Sequence, residues 1–458
     1  MLRPPENEVA PQPASGQRPA TRRICMVVHA YYPIGEPRVQ REAKAAAEAG
    51  YRVDVVCLRQ PGEARRETVD GIDVHRLPIV HDRSAGAAKM AVEYAGFALR
   101  ASVAVARLML GARTAGERVV QVHSPPDFLI IAGILPKLLG ARLVLDIHDL
   151  STHLYRARFA RRGLALRLAN LTLALIERAA CAFADDVITV HEPYRAELIS
   201  HGVSASNITV VMNAVDERLI DRTRRAEARA RSNGGFTIAY HGTITPSYGV
   251  DLIVEALPHV CELVPDARCL ILGEGDALVA VEQRAEDLGV ADRIEFSRRY
   301  LPIELALERV ASADCGVIPN RPSEYNRFAL SSKLFEYVAL GIPAVVARLE
   351  TLAAHFDPDQ VSFFAPGDAA GLGHAISWVA QNGAAARGMA VRARIRGREY
   401  SWFEHRRRYL DVIASPEPRP RRSVARAETP RHAPGASLRH GSSENRPALD
   451  TAGKEGLA

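Results

Sequence analysis

Lys333 and Glu336 are the residues in this sequence whose types and spacing come nearest to a ligand site. In the run Ser331-Ser332-Lys333-Leu334-Phe335-Glu336-Tyr337-Val338-Ala339-Leu340-Gly341-Ile342-Pro343 they stand three apart, on one face of a helix. Gly341 ends that helix, and Pro343 keeps it from resuming. The apolar Ala344-Val345-Val346 that follows reads as a buried strand. A helix N-terminus attracts phosphate, and a lysine beside it neutralises the charge. A glutamate one turn on accepts hydrogen bonds from paired hydroxyls such as those of a ribose. That combination suits a nucleotide diphosphate. The ordinary alternative is a solvated Lys/Glu pair on a surface helix.

Other polar residues gather where strands end. His123 closes the apolar run Val119–His123 and precedes Ser-Pro-Pro, which keeps it out of a helix. His148 and Asp149 follow the run Leu143–Ile147, and Asp149 either caps the next segment or binds hydroxyl groups. After the first strand come Tyr31-Tyr32-Pro33-Ile34-Gly35-Glu36, with Arg38 and Arg41 at the start of the next helix.

The elements that must position these residues alternate between short apolar runs and longer helical stretches. Residues 24–29, 53–58, 119–123, 143–147 and 186–190 fit parallel strands of one sheet. Residues 237–240, 267–272, 293–296, 315–318 and 344–346 fit a second. The alternation predicts α/β structure with two doubly wound sheets, whose ligands sit at the carboxyl ends of the strands. A chain of 458 residues with 47% hydrophobic content is large enough for two cores, and a net charge of +6 does not call for nucleic acid. The six cysteines form no Cys-x-x-Cys pair, which excludes a zinc ribbon, and no Asp-x-Asp suggests a divalent-ion site. The first loop lacks Gly-x-Gly-x-x-Gly, which argues against a nicotinamide oxidoreductase.

The ends are different. Residues 1–21 hold five prolines and no apolar core of a secretory signal, and residues 415–458 are rich in Pro, Arg, Ser and Gly. Both are expected to be disordered tails.

The Ser331–Val346 segment resembles the donor-site helix of glycosyltransferase family 4, the retaining enzymes of GT-B fold that use nucleotide sugars. The resemblance runs from about Ile24 to about Leu410. It includes Glu36-Pro37-Arg38, His123-Ser124-Pro125-Pro126-Asp127, Asp146-Ile147-His148-Asp149 and Asn213-Ala214-Val215-Asp216. In the second half it includes His241-Gly242-Thr243, Tyr248-Gly249-Val250-Asp251, Gly273-Glu274-Gly275 and Ala313-Asp314-Cys315-Gly316. It implies two Rossmann-like domains facing across a cleft. The expected boundaries are an acceptor-side domain 22–216, a linker 217–235, a nucleotide-sugar domain 236–395 and a helix 396–414 returning to the first domain.

The same resemblance implies His123 and Glu336 as catalytic residues. It places Gly35, Arg38, Gly242, Thr243, Arg327, Lys333 and Glu336 around the donor, and His148 and Asp149 on the acceptor side. It implies no cofactor and no metal, a UDP-sugar as the first expectation for the donor, and a glycan or lipid-linked acceptor in polysaccharide or glycoconjugate assembly. Two departures stand out: Phe328 occupies a position where many members carry a glutamate, and Thr243–Tyr248 lacks the basic residues that clamp the diphosphate. They keep open a non-catalytic nucleotide-sugar-binding or scaffold protein, or a GT-B epimerase. The stretches 89–113 and 154–178 mix Arg with Leu and Ala but are too interrupted to span a membrane. They fit either the flanks of the first sheet or an anionic membrane surface, so the expected location is cytoplasmic, with peripheral membrane contact left open.

Overall fold

The computed structural model describes residues 22–33, 36–81, 86–110, 117–158, 163–227 and 235–414. The expected tails, 1–21 and 415–458, and the loop glycine Gly35 lie outside the described residues.

Two sheets organise the fold. The first contains β1 (Arg23–Tyr31), β2 (Arg52–Leu58), β3 (Arg66–Val69), β4 (Ile72–Leu77), β5 (Arg118–Ser124), β6 (Arg142–Ile147), β7 (Asp186–Thr189) and β8 (Ile208–Val210), in the order β3-β4-β2-β1-β5-β6-β7-β8. All neighbours pair in parallel except β3 with β4. The second contains β9 (Thr237–His241), β10 (Arg268–Leu272), β11 (Ile294–Phe296), β12 (Cys315–Ile318), β13 (Ala344–Ala347) and β14 (Ser362–Phe364), in the order β11-β10-β9-β12-β13-β14. The strands read as unbroken apolar runs because both faces are covered. Ile24 to Val27 are fully buried, with Ile24 and Met26 in one core and Cys25 and Val27 in the other.

In each sheet the strand order reverses once, between β1 and β5 and between β9 and β12. A doubly wound sheet opens a crevice at that point. His123 is the penultimate residue of β5 and His241 the last of β9, so a histidine stands beside each switch point.

Three features differ from the sequence reading. The strand pair β3–β4 was not anticipated, nor were β8 and β14. The turn joining β3 to β4 is Asp70-Gly71 with φ of 52° and 80°, the left-handed pair that a tight hairpin requires. The span expected to be a linker is a helix over Glu217–Glu227, packed on the helices Ile303–Val310 and Ser332–Leu340 of the second half. Ile220 and Thr223 are its buried face.

The helix Trp402–Ala414 packs back on the first half, against Pro37–Glu48 and β8. The Tyr409 hydroxyl donates to Gln121 Oε1 at 2.9 Å, and the Met212 N–H donates to His405 Nδ1 at 3.2 Å.

Candidate active site

A cavity of about 270 Å³ lies between the strand ends of the two halves. Glu36, His148, Asp149, His191 and Tyr194 line it from the first half, and Tyr248, Asn320, Ser331, Ser332 and Lys333 from the second.

The second-half wall is the start of the helix Ser332–Leu340. Ser331 has extended backbone and makes no side-chain cap, and its Oγ is buried without a hydrogen-bond partner. The first amides of the helix therefore lack both a helical acceptor and a cap. Gly341 ends the helix in the left-handed conformation, φ 79°. The Lys333 ammonium stands 4.8 Å from the Tyr248 ring centroid and 5.5 Å from that of Tyr240. Burial holds its pKa below the ordinary lysine value, partly offset by Glu336. The chain thus presents a helix N-terminus and a lysine at one wall, the two features that favour an anion.

Gly242 makes room for this lysine. A Cβ on Gly242 would fall 2.4 Å from Lys333 Cε, and its φ is 113°. Lys333 therefore rests against the loop that has no basic residue of its own. Arg327 does not share that role. Expected at the donor site, it is exposed, pairs with Glu350 at 2.6 Å and lies off the cavity lining. Thr243 also lies off the cavity lining, with its Oγ1 accepting from the Tyr300 hydroxyl at 3.1 Å and its carbonyl from Tyr240 at 2.6 Å.

Glu336 is only 8% exposed, and His241 Nε2 approaches its Oε2 at 2.5 Å. Burial opposes its ionisation, but the His241 hydrogen bond and the charges of Lys333 and Arg41 outweigh that, and the carboxyl titrates below its ordinary value. It stands one turn behind Lys333, outside the cavity lining. Its partner His241 stands in the His241-Gly242-Thr243 motif of the sequence but was given no role there.

The first-half wall rests on a buried polar network. Arg38 donates from Nε and Nη2 to the two oxygens of Asp146 at 3.0 and 2.8 Å, and from Nη1 to the Val211 carbonyl at 2.7 Å. It also lies 3.1 Å from Glu42 Oε1, and Gln121 donates to the other oxygen of Glu42 at 2.7 Å. Arg38 also lines the cavity floor, with all three of its guanidinium nitrogens already engaged by protein oxygens. Burial pushes the Glu42 carboxyl up to about 8, against the lowering effect of Arg38.

His148 sits over this network. Its Nε2 is 3.2 Å from Asp146 Oδ2, and its Nδ1 is 3.6 Å from Glu36. Burial lowers its pKa, but the Asp146 charge more than compensates, and the net shift is upward. His123 lies below, 1% exposed, with Nδ1 3.2 Å from Asp146 and 3.0 Å from His148 Nε2. Burial pushes it down to about 4, so it is neutral. His123, expected to face a sugar, lies under His148 and off the cavity lining, whereas His148 and His191 line it.

Beside His148, the Tyr194 hydroxyl donates to Asp149 Oδ1 at 3.3 Å. His191 accepts from the Tyr194 N–H at 3.2 Å, and burial pushes it down to about 3. Neither His191 nor Tyr194 was picked out from the sequence. Phe328 explains its own departure from the family pattern. Its ring packs 4.8 Å from His153 and 6.3 Å from Tyr194, so an aromatic contact between the halves fills the place of the glutamate.

Two family models match this chain: "Glycosyl transferase 4-like domain" over residues 35–214 and "Glycosyl transferases group 1" over residues 235–382. The chain belongs to glycosyltransferase family 4. Among family relatives, a GDP-mannose-dependent alpha-(1-6)-phosphatidylinositol monomannoside mannosyltransferase of Mycolicibacterium smegmatis is 27% identical over 281 residues, 57% of this chain and 70% of its own. Among solved GT-B structures, sucrose-phosphate synthase of Thermosynechococcus elongatus matches with TM-score 0.66 at 17% identity, over 85% of this chain and 98% of its own. HepE of Anabaena, in complex with UDP-glucose, matches with TM-score 0.60 at 15% identity, over 86% and 99%. These likenesses establish the GT-B fold: two parallel-sheet Rossmann-like domains with the family's glycosyltransferase architecture.

Proposed function

We propose that this family 4 glycosyltransferase transfers a sugar from a nucleotide-diphosphate donor to a lipid-linked glycan acceptor, with retention at the anomeric carbon. The observation that carries the reading is the uncapped start of the Ser332–Leu340 helix with Lys333 at the wall of a cavity that His148 and Asp149 enter from the other domain. Such a transfer must stabilise charge on the departing diphosphate and on an oxocarbenium-like sugar. The helix amides, Ser331, Ser332 and Lys333 serve the first. His148, its pKa raised by the Asp146 charge against the effect of burial, orients the donor–acceptor pair, and Asp149 with Tyr194 receives acceptor hydroxyls. Glu336 acts through His241 to fix the helix and Lys333. No metal or cofactor is assigned to the reaction.

The donor base is the finer part of the proposal. A UDP-sugar is the expectation from sequence, whereas the mycobacterial relative is named for GDP-mannose. Thermal-shift titration with UDP, GDP, UDP-glucose and GDP-mannose separates them. Stabilisation by one base, lost in Lys333→Ala, supports the site; stabilisation by none overturns it. Retention is tested by the anomeric configuration of the product from an α-linked donor, and an inverted product refutes it.

The acceptor side carries a matching surface. On the helix Leu164–Phe183, Leu164, Leu168, Leu171 and Leu175 are each more than half exposed, at spacings that put them on one face, with Arg167 and Arg178 also exposed. No helix among the described residues is long and apolar enough to cross a membrane. We assign this leucine face to peripheral contact with an anionic bilayer. Co-sedimentation with vesicles containing anionic lipid should fall severalfold when Leu168 and Leu171 become Ser. Unchanged sedimentation removes the assignment.

A further inference from the structure

A second set of ligating side chains lies off the cavity lining. His29 near the end of β1, His81 shortly after β4 and Glu93 on the helix Ala87–Leu110 each bring one ligating atom to within 4.8 Å of the others. His81 Nδ1 is 2.7 Å from Glu93 Oε1, and His29 Nε2 is 3.0 Å from the same oxygen. The His29 side chain is only 3% exposed. Its Nε2 is buried and faces that carboxylate. The ring is held edge-on by Tyr94 at 4.4 Å and Phe97 at 5.0 Å, so this nitrogen is fixed in its aim.

We propose that His29 Nε2, His81 Nδ1 and the Glu93 carboxylate bind a divalent transition-metal ion of the zinc class. Two imidazoles and one carboxylate are a zinc ligand set that leaves a fourth position for water, with ligand atoms about 2.0–2.2 Å from the ion. Ligands on such an ion stand roughly 3.2–3.4 Å apart, so the two nitrogen–carboxylate separations of 2.7 and 3.0 Å must open by about half an ångström to admit it. The ion joins the helix Ala87–Leu110 to the ends of β1 and β4, a structural staple apart from the transfer reaction. None of the three residues lines the cavity.

The other cluster with metal-ligand chemistry, His123, Asp146 and His148, is a poorer cation site. Arg38 already places its guanidinium on both oxygens of Asp146. A second cation there would meet a full positive charge at hydrogen-bond distance.

The test uses the full chain without a histidine tag, stripped with EDTA and titrated calorimetrically with Zn²⁺ alone. Visible absorption of the Co²⁺-loaded protein is the second readout. The wild type should take up one equivalent, show the absorption of a four-coordinate cobalt site, and melt at a higher temperature with zinc. All three should vanish in His81→Ala and in Glu93→Gln and persist in His148→Gln. Glu93→Gln keeps the side-chain shape, so it reads the loss even if His81→Ala folds poorly. Absence of saturable binding in the wild type overturns the proposal. So does an equivalent that survives in both His81→Ala and Glu93→Gln, or one that disappears in His148→Gln.

Discussion

Gly242→Ala tests whether the chain holds Lys333 over the strand-end loop for donor binding. The added Cβ would stand 2.4 Å from Lys333 Cε and 3.0 Å from Nζ, so the lysine must swing away. Two effects follow, and they separate. The first is on the backbone, where φ of 113° strains any residue with a side chain by about 1–2 kcal/mol. That lowers the melting temperature whether or not Lys333 matters. The second is on the donor. A lost hydrogen bond from a charged group is worth about 1.5–3 kcal/mol, roughly 10- to 150-fold in Kd.

The decisive comparison is a double-mutant cycle. Lys333→Ala removes the clashing atoms, so it should weaken the donor as much as Gly242→Ala does. The double variant should weaken it no further, while keeping the full stability loss of Gly242→Ala. Coupling of about 1.5–3 kcal/mol in donor affinity is the expected result. Donor Kd by calorimetry and melting by scanning fluorimetry supply both axes. Multiplicative loss in the double variant, or a Gly242→Ala protein that binds donor normally, would refute the reasoning.

Three further outcomes are expected. Burial holds Lys333 below its ordinary pKa, and the protonated form binds diphosphate. Affinity for the nucleotide should therefore be level at low pH and fall as pH rises through that lowered value; Lys333→Arg should move the fall to higher pH. Glu336 titrates below its ordinary 4.5, so its ion pairing contributes stability above that value, lost as pH falls through the folded pKa. Wild type and Glu336→Gln should therefore differ in melting temperature at neutral pH and converge in acid. Arg38→Met leaves Asp146 buried with its main cation gone and should cost about 3–5 kcal/mol in urea unfolding. A phosphate-binding arginine would instead weaken the donor and spare stability.

The fold was legible because its signal is local. Unbroken apolar runs such as Ile24–Val28 and Leu143–Leu145 announce strands covered on both faces, and polar residues collect where those runs stop. The Ser332–Leu340 helix was legible to its last residue, since Gly341 and Pro343 act on the backbone beside them. The hairpin at Asp70-Gly71 was equally local and was passed over: its strands, Arg66–Val69 and Ile72–Leu77, are polar enough to read as loop. The helix Glu217–Glu227 was missed for the opposite reason. Its many charges mask a short buried stripe of Ile220 and Thr223 that only packing reveals.

The site was legible in its residue types and less so in their roles, because a cation's role depends on where its counter-charge stands. Lys333 and Arg38 looked alike in the sequence, each a basic residue beginning a helix after a strand-end loop. The structure divides them. Arg38 meets Asp146, 108 residues further along, and is consumed by it. Lys333 meets two aromatic rings and a glycine instead, with Glu336 one turn behind, and keeps its ammonium at the cavity wall. The hint lay in Asp146 itself: a carboxylate inside Leu143-Val144-Leu145-Asp146-Ile147 has no solvent to ionise it and demands a buried partner. The same logic ranks the histidines. His123 and His148 both contact Asp146, but His123 is buried within its strand, whereas His148 stands just past the end of its strand and lines the cavity. Catalytic assignments drawn from strand ends therefore need the partner of each charge before its role is read.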